Sequence, residues 1–160
     1  MDQNCKRRGI KTGLYLHISK DVPSDLRNIF IRFARWVRKN FDFPIKVNAY
    51  IQNTKNIYTK NTHEPVSANI YLPYDLQRSP HIKVAVGDFY DLIKERGKFL
   101  AICVELCSLA HEIIHYQQWQ NGNDMDSSTA KKVNEIQAKR KSAKLIQDYI
   151  DQVDEEWMYE

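Results

Sequence analysis

Apolar residues recur along the chain in two rhythms, with period two in several short stretches and at helical spacing in the longer ones. Leu14, Leu16 and Ile18 alternate with Tyr15 and His17, which predicts a strand with one apolar face. After Pro23, with Ser24 as the expected N-cap, Leu26, Ile29, Phe30, Phe33 and Val37 return every three or four residues and predict a helix to Asn40. Alternation resumes at Ile45, Val47, Ala49 and Ile51, again around Ile70 and Leu72, and again at Ile82, Val84 and Val86, as in strands of one sheet. Between Gln52 and Ser67 the chain is rich in Asn, Thr and Lys without periodicity, so a loop or polar hairpin is expected. A short helix from Asp88 to Arg96 should stop at Gly97. A long apolar helix from about Lys98 to Gln120 should stop at Gly122, and a final helix is expected from about Thr129 to Val153.

The order of these elements predicts an α+β chain in which a small, mostly antiparallel or mixed sheet packs on the long helix and the helix after it. Its 160 residues fit one domain, 1–160, flanked by a basic arm over 1–12 and an acidic tail over 154–160. No apolar leader stands at the start, and the longest apolar stretch, Phe99 to Ala110, is interrupted by Glu105 and falls short of a bilayer span, so a soluble chain without a membrane partner is expected. Three cysteines, Cys5, Cys103 and Cys107, suit a reduced, cytoplasmic location, and the last two fall in the apolar helix as small core residues. A net charge of +4 does not by itself announce a nucleic-acid binder. Lys131, Lys132, Lys139, Arg140, Lys141 and Lys144 concentrate the basic charge on the last helix, where a solvated face is the simplest account.

Chemistry enters with His111-Glu112-Ile113-Ile114-His115. Two imidazoles four residues apart lie one helical turn apart on one face, where both can reach one tetrahedral ion. Glu112 neighbours that face and is placed to take a proton from a water activated by the metal. Leu109, Ala110, Ile113 and Ile114 are apolar, as suits a helix packed inside a fold with its metal face turned to a cleft. Cys103 lies about two turns from His111, too far along the axis to share an ion with it.

A catalytic zinc needs a third protein ligand and an open position. Gln118 and Asn121 stand where a metzincin would carry its Gly and third His, so that class is excluded. The next helix offers Glu135, the one charged member of a stripe formed by Glu135, Ala138, Ser142, Leu145 and Tyr149. The small residues Ala138 and Ser142 would let this helix approach its neighbour closely at the level of the metal.

His111-Glu112-x-x-His115 followed on a later helix by Asn134-Glu135 resembles the gluzincin metallopeptidases, the thermolysin-like class, and the short chain is similar to its minimal single-domain members, the minigluzincins. The resemblance spans roughly residues 99 to 150. It implies a zincin-like fold, Zn2+ held by His111, His115 and Glu135, Glu112 as the catalytic base, and hydrolysis of a peptide or protein substrate. It also implies an Asp four residues after the ligand Glu, where this chain has Lys139, and an oxyanion-stabilising His or Tyr, for which Tyr116, Tyr149, His63 and His81 are the candidates. A substrate would pair with an exposed strand around Ile70 or Ile82. Two alternatives are a regulatory protease specific for one DNA-bound or repressor partner, and a non-enzymatic zinc-containing module that binds nucleic acid through Lys6 to Lys11 and Lys131 to Lys144. The acidic tail after Val153 could lie across the cleft and hold the enzyme latent, against the simpler reading of a free terminus.

Overall fold

A computed structural model describes residues 11–75 and 78–153. Both the basic arm before Lys11 and the acidic tail after Val153 lie outside these residues, as does Cys5. Within them the chain is α+β: strand β1 (Leu14–Ile18), helix α1 (Ser24–Asn40), strands β2 (Val47–Gln52), β3 (Ile57–Tyr58), β4 (Pro65–Val66), β5 (Ala68–Tyr71) and β6 (His81–Ala85), then helices α2 (Phe89–Arg96), α3 (Lys98–Gln120) and α4 (Ser128–Gln152). β1, β2, β6 and β5 form, in that spatial order, a mixed sheet in which β5 alone runs antiparallel. β3 and β4 pair as a small separate hairpin, so the polar stretch before Ser67 is the hairpin rather than a loop.

Alternation along the strands turns one face of the sheet inward. Val47, Ala49 and Ile51 of β2 and Ile82 and Val84 of β6 are buried, and the inner face rests on α1 and α3 in one core with Phe30, Phe33, Leu106, Leu109 and Ile113. Ile45 continues the alternation in sequence but stands before the strand begins; its backbone N–H and C=O are both taken by the hydroxyl of Tyr116 (3.1 and 2.6 Å). Ser24 opens α1 as a helical residue, with Pro23 before it and no side-chain cap, because Pro23 presets its own φ and the chain enters the helix directly. On α4 the cap is made: the Ser127 hydroxyl accepts from the backbone N–H of Ala130.

At the centre lies α3, which explains its composition. Ala101, Ile102, Leu106, Leu109, Ala110, Ile113 and Tyr116 are all buried, covered by the sheet, α2 and α4. Length and composition alone would let this 23-residue helix cross a membrane, yet much of it is enclosed by the fold and it carries the buried carboxyls Glu105 and Glu112. Gly122 ends it in the left-handed region (φ 86°), returning the chain so that the Asn123 N–H reaches the Gln118 carbonyl. α4 then packs back along α3 through the stripe expected for it: Ala138, Ser142, Leu145 and Tyr149 are buried. The small pair works as expected at the contact, where the Ser142 hydroxyl lies 3.8 Å from the Cys107 thiol.

The two edges of the main sheet differ. Along β1 the Arg38 guanidinium donates to the outward carbonyl of Leu14 (2.8 Å), and after the strand Arg27 donates to the Ser19 carbonyl (2.7 Å), which also closes a turn with the Val22 N–H. β5 forms the other edge. Ala85 N–H bonds the Ser67 carbonyl, which puts Ser67, Asn69 and Tyr71 in register to bond β6 and turns the backbone groups of Ala68, Ile70 and Leu72 away from the sheet. Ile82 lies on β6, paired on both sides, so of the two segments expected to offer an edge only the one around Ile70 does.

Candidate metal centre

His111 and His115 project from one face of α3 and Glu135 faces them from the second turn of α4. Their Nε2 atoms are 3.1 Å apart, and the two oxygens of Glu135 lie 3.0 Å from His111 Nε2 and 3.0 Å from His115 Nε2. Ligand atoms about 2.0–2.1 Å from one tetrahedral ion stand roughly 3.3 Å from each other. Each oxygen of Glu135 thus faces one imidazole nitrogen, and one ligand atom from each of the three residues lies within 4.8 Å of the others, so the two imidazoles and the carboxylate form a group able to hold a metal ion. Helix spacing brought the imidazoles together; the close approach of α4 over Ala138 and Ser142 supplies the carboxylate.

Protonation states also suit a cation. Burial pushes the pKa of His111 below its ordinary value despite the neighbouring Glu135, and the charges of His115 and Lys139 push the same way. For Glu135, burial works toward a higher pKa, but the facing His111 and His115 outweigh it and hold the carboxyl below the usual range. A neutral imidazole beside an ionised carboxylate is what metal ligation requires.

Behind the ligands stands a residue the motif did not reveal. His115 Nδ1 lies 2.8 Å from Gln118 Oε1, while Gln118 Nε2 donates to the Asn134 carbonyl (2.9 Å) and Asn134 in turn donates to the Asp124 carbonyl (2.8 Å). Because its amide nitrogen is committed to Asn134, Gln118 presents its oxygen to His115, fixes the proton on Nδ1 and leaves the Nε2 lone pair facing Glu135. The same chain ties α3 to α4 beside the ligand Glu. Gln118 is three residues beyond His115 and 4% exposed; an amide on the buried face of an apolar helix was the available signal. Lys139 is exposed and gives no such support.

Glu112 is buried (6% exposed), and its carboxyl accepts a hydrogen bond from the backbone N–H of Ile70, one of the groups β5 turns outward. Burial first, then the charge of Glu135, raise its pKa to about 8, against the effect of that bond. The base candidate, the ligand triangle and the open strand edge thus meet in one cleft of about 870 Å³, walled by β5, by Val104, Cys107 and Ser108 of α3, by Lys131 and Asn134 of α4, and by Thr59, Lys60, Asn61 and Thr62 of the hairpin. Cys107 lines this cleft instead of being sealed in the core, since its face of α3 continues toward His111.

None of the four expected oxyanion groups is there. Tyr116 is buried and committed to Ile45, Tyr149 is packed against Phe33 and Trp36, His63 stacks on Tyr58, and His81 stacks on Tyr71 across the outer face of the sheet. Each has its position from packing, which sequence spacing does not show.

Comparison with family models, with curated proteins and with solved structures finds no match to this chain.

Proposed function

We propose that this chain is a zinc metallopeptidase of the gluzincin kind, with a zincin-like fold and a cytoplasmic location, hydrolysing peptide bonds in a peptide or protein substrate. The observation that carries the reading is the meeting, in one cleft, of a His111–His115–Glu135 triangle with a buried Glu112 hydrogen-bonded to the free edge of β5. A structural metal site would need neither the acid nor the edge.

An extended substrate adds to β5 through the outward backbone groups of Ala68 and Leu72 and the carbonyl of Ile70, whose N–H is held by Glu112, and these hold a main chain without regard to its side chains. When bound, zinc supplies Lewis acidity to the scissile carbonyl, a lowered pKa for the attacking water and a positive charge that favours ionised Glu112. Glu112 takes the proton of that water on a carboxylate oxygen and returns it to the leaving amine. Its burial keeps it a strong enough base to hold the proton between the two steps, and the Ile70 N–H orients it. Gln118 keeps His115 in the tautomer that can ligate, and Glu135 stays ionised through the facing imidazoles.

Glu112→Gln tests the assignment. The variant should bind one zinc per chain and lose cleavage of an unstructured protein or peptide mixture by about a hundred- to ten-thousandfold. Undiminished cleavage by this variant would overturn the reading.

A further inference from the structure

We infer that the cleft selects acidic polypeptide: substrate with Asp or Glu close to the scissile bond, held between Lys60 and Lys131. The inference rests on the peptidase reading and names the substrate class of the same site. Apart from the three ligands and Glu112, the charged side chains lining the cleft among the described residues are these two lysines, one at the hairpin tip and one on the first turn of α4. They come from different walls, so a chain passing over Glu112 runs between them. Lys139, one turn beyond Glu135, stands close enough for its charge to act on His111. Among the described residues no Asp lines the cleft, and Glu112 and Glu135 are already engaged with Ile70 and with the imidazoles.

Cleft shape strengthens the effect. Val104, Ile70, Leu72 and Met125 supply apolar wall between the charges, and a field set in low-polarity walls is focused rather than dispersed in water. A divalent ion on the ligand triangle adds to the same sign. A single-stranded nucleic acid shares the negative charge, but it has no use for the alternating outward N–H and C=O groups of Ala68 and Leu72, which pair with a peptide main chain.

The test is a binding measurement on the zinc-loaded full chain carrying Glu112→Gln, so that ligands survive. Two fluorescein-labelled decapeptides are compared, alike except that one has Glu and the other Lys at the same three positions, together with an oligothymidylate of ten nucleotides. At low salt the Glu peptide should bind at least about tenfold tighter than the Lys peptide, and the ratio should shrink as ionic strength rises. Adding Lys60→Glu and Lys131→Glu should invert the order; zinc content near one per chain reports that this variant is folded, and Lys60→Gln alone should at least halve the preference. Equal binding of the two peptides, an order unmoved by charge reversal, or tighter binding of the oligonucleotide overturns the inference. Cleavage by the unsubstituted chain is scored separately: charge-selective binding without any cleavage supports acidic selection while removing the peptidase reading.

Discussion

Two carboxyls on α3, Glu105 and Glu112, occupy the same face of one helix two turns apart, and both are buried with raised pKa values, yet their surroundings give them different roles. Glu105 is 2% exposed and its pKa is raised to about 9, by burial first and then by Asp88, with which it shares a hydrogen bond. It ends in packed side chains. About 10 Å along the axis, Glu112 has a comparable shift, but its carboxyl meets an outward-facing backbone N–H and opens on the cleft with the ligand triangle. A perturbed pKa thus marks burial in both cases and a site of chemistry only where an opening and partners accompany it.

Exchanging each acid for its amide is the sharpest way to break that contrast. The largest effect is the loss of hydrolysis in Glu112→Gln, and Glu105→Gln should leave turnover at neutral pH within about threefold of the parent, as peptide-cleavage assays will show. Removing a ligand comes next: Glu135→Ala should abolish stoichiometric zinc in equilibrium dialysis, because two imidazoles remain where three ligands are needed. Gln118→Ala should weaken zinc by about ten- to a hundredfold, measured by chelator competition, by releasing the His115 tautomer.

In the metal-free chain the raised pKa of either acid makes stability fall with rising pH, and Glu105, shifted further, contributes the larger share. Glu105 binds a proton more tightly folded than unfolded, so its contribution is full below about pH 4.5 and is lost as pH rises toward about 9, with a slope of up to about 1.4 kcal/mol per pH unit. Glu105→Gln should flatten that fall, which thermal melts between pH 5 and 9 will reveal; an unchanged pH profile would remove Glu105 as its source. Smallest is the cap: Ser127→Ala should cost about 1 kcal/mol in denaturant unfolding, with no change in zinc binding.

Much of this was legible in the chain itself. Periodicity located β1, β2, β5, β6 and all four helices to within a few residues, because each packs one face on a common core and the pattern records that face. His111, Glu112, His115 and Glu135 were legible for a related reason: helix geometry makes i and i+4 neighbours, and a lone acid in a seam of small residues has few roles. Gln118, Lys60 and the free edge at Ile70 were not. Gln118 acts through a backbone carbonyl on another helix, Lys60 through a hairpin folded toward the cleft, and the edge through strand order, and none of these is local in sequence. The expected oxyanion residues failed on the same ground, since residue type alone does not say which ring packs where.

Arg38 on the far side of the sheet bears on how such a molecule behaves in a crowded solution. A sheet with one bare edge strand can pair with a copy of itself as readily as with another extended chain, and a second bare strand would let copies join end to end without limit. With the Leu14 carbonyl already occupied by the Arg38 guanidinium, a partner strand meets an obstacle at that end of the β1 edge. Arg38 thus makes the β1 edge a poorer template for another chain than the β5 edge.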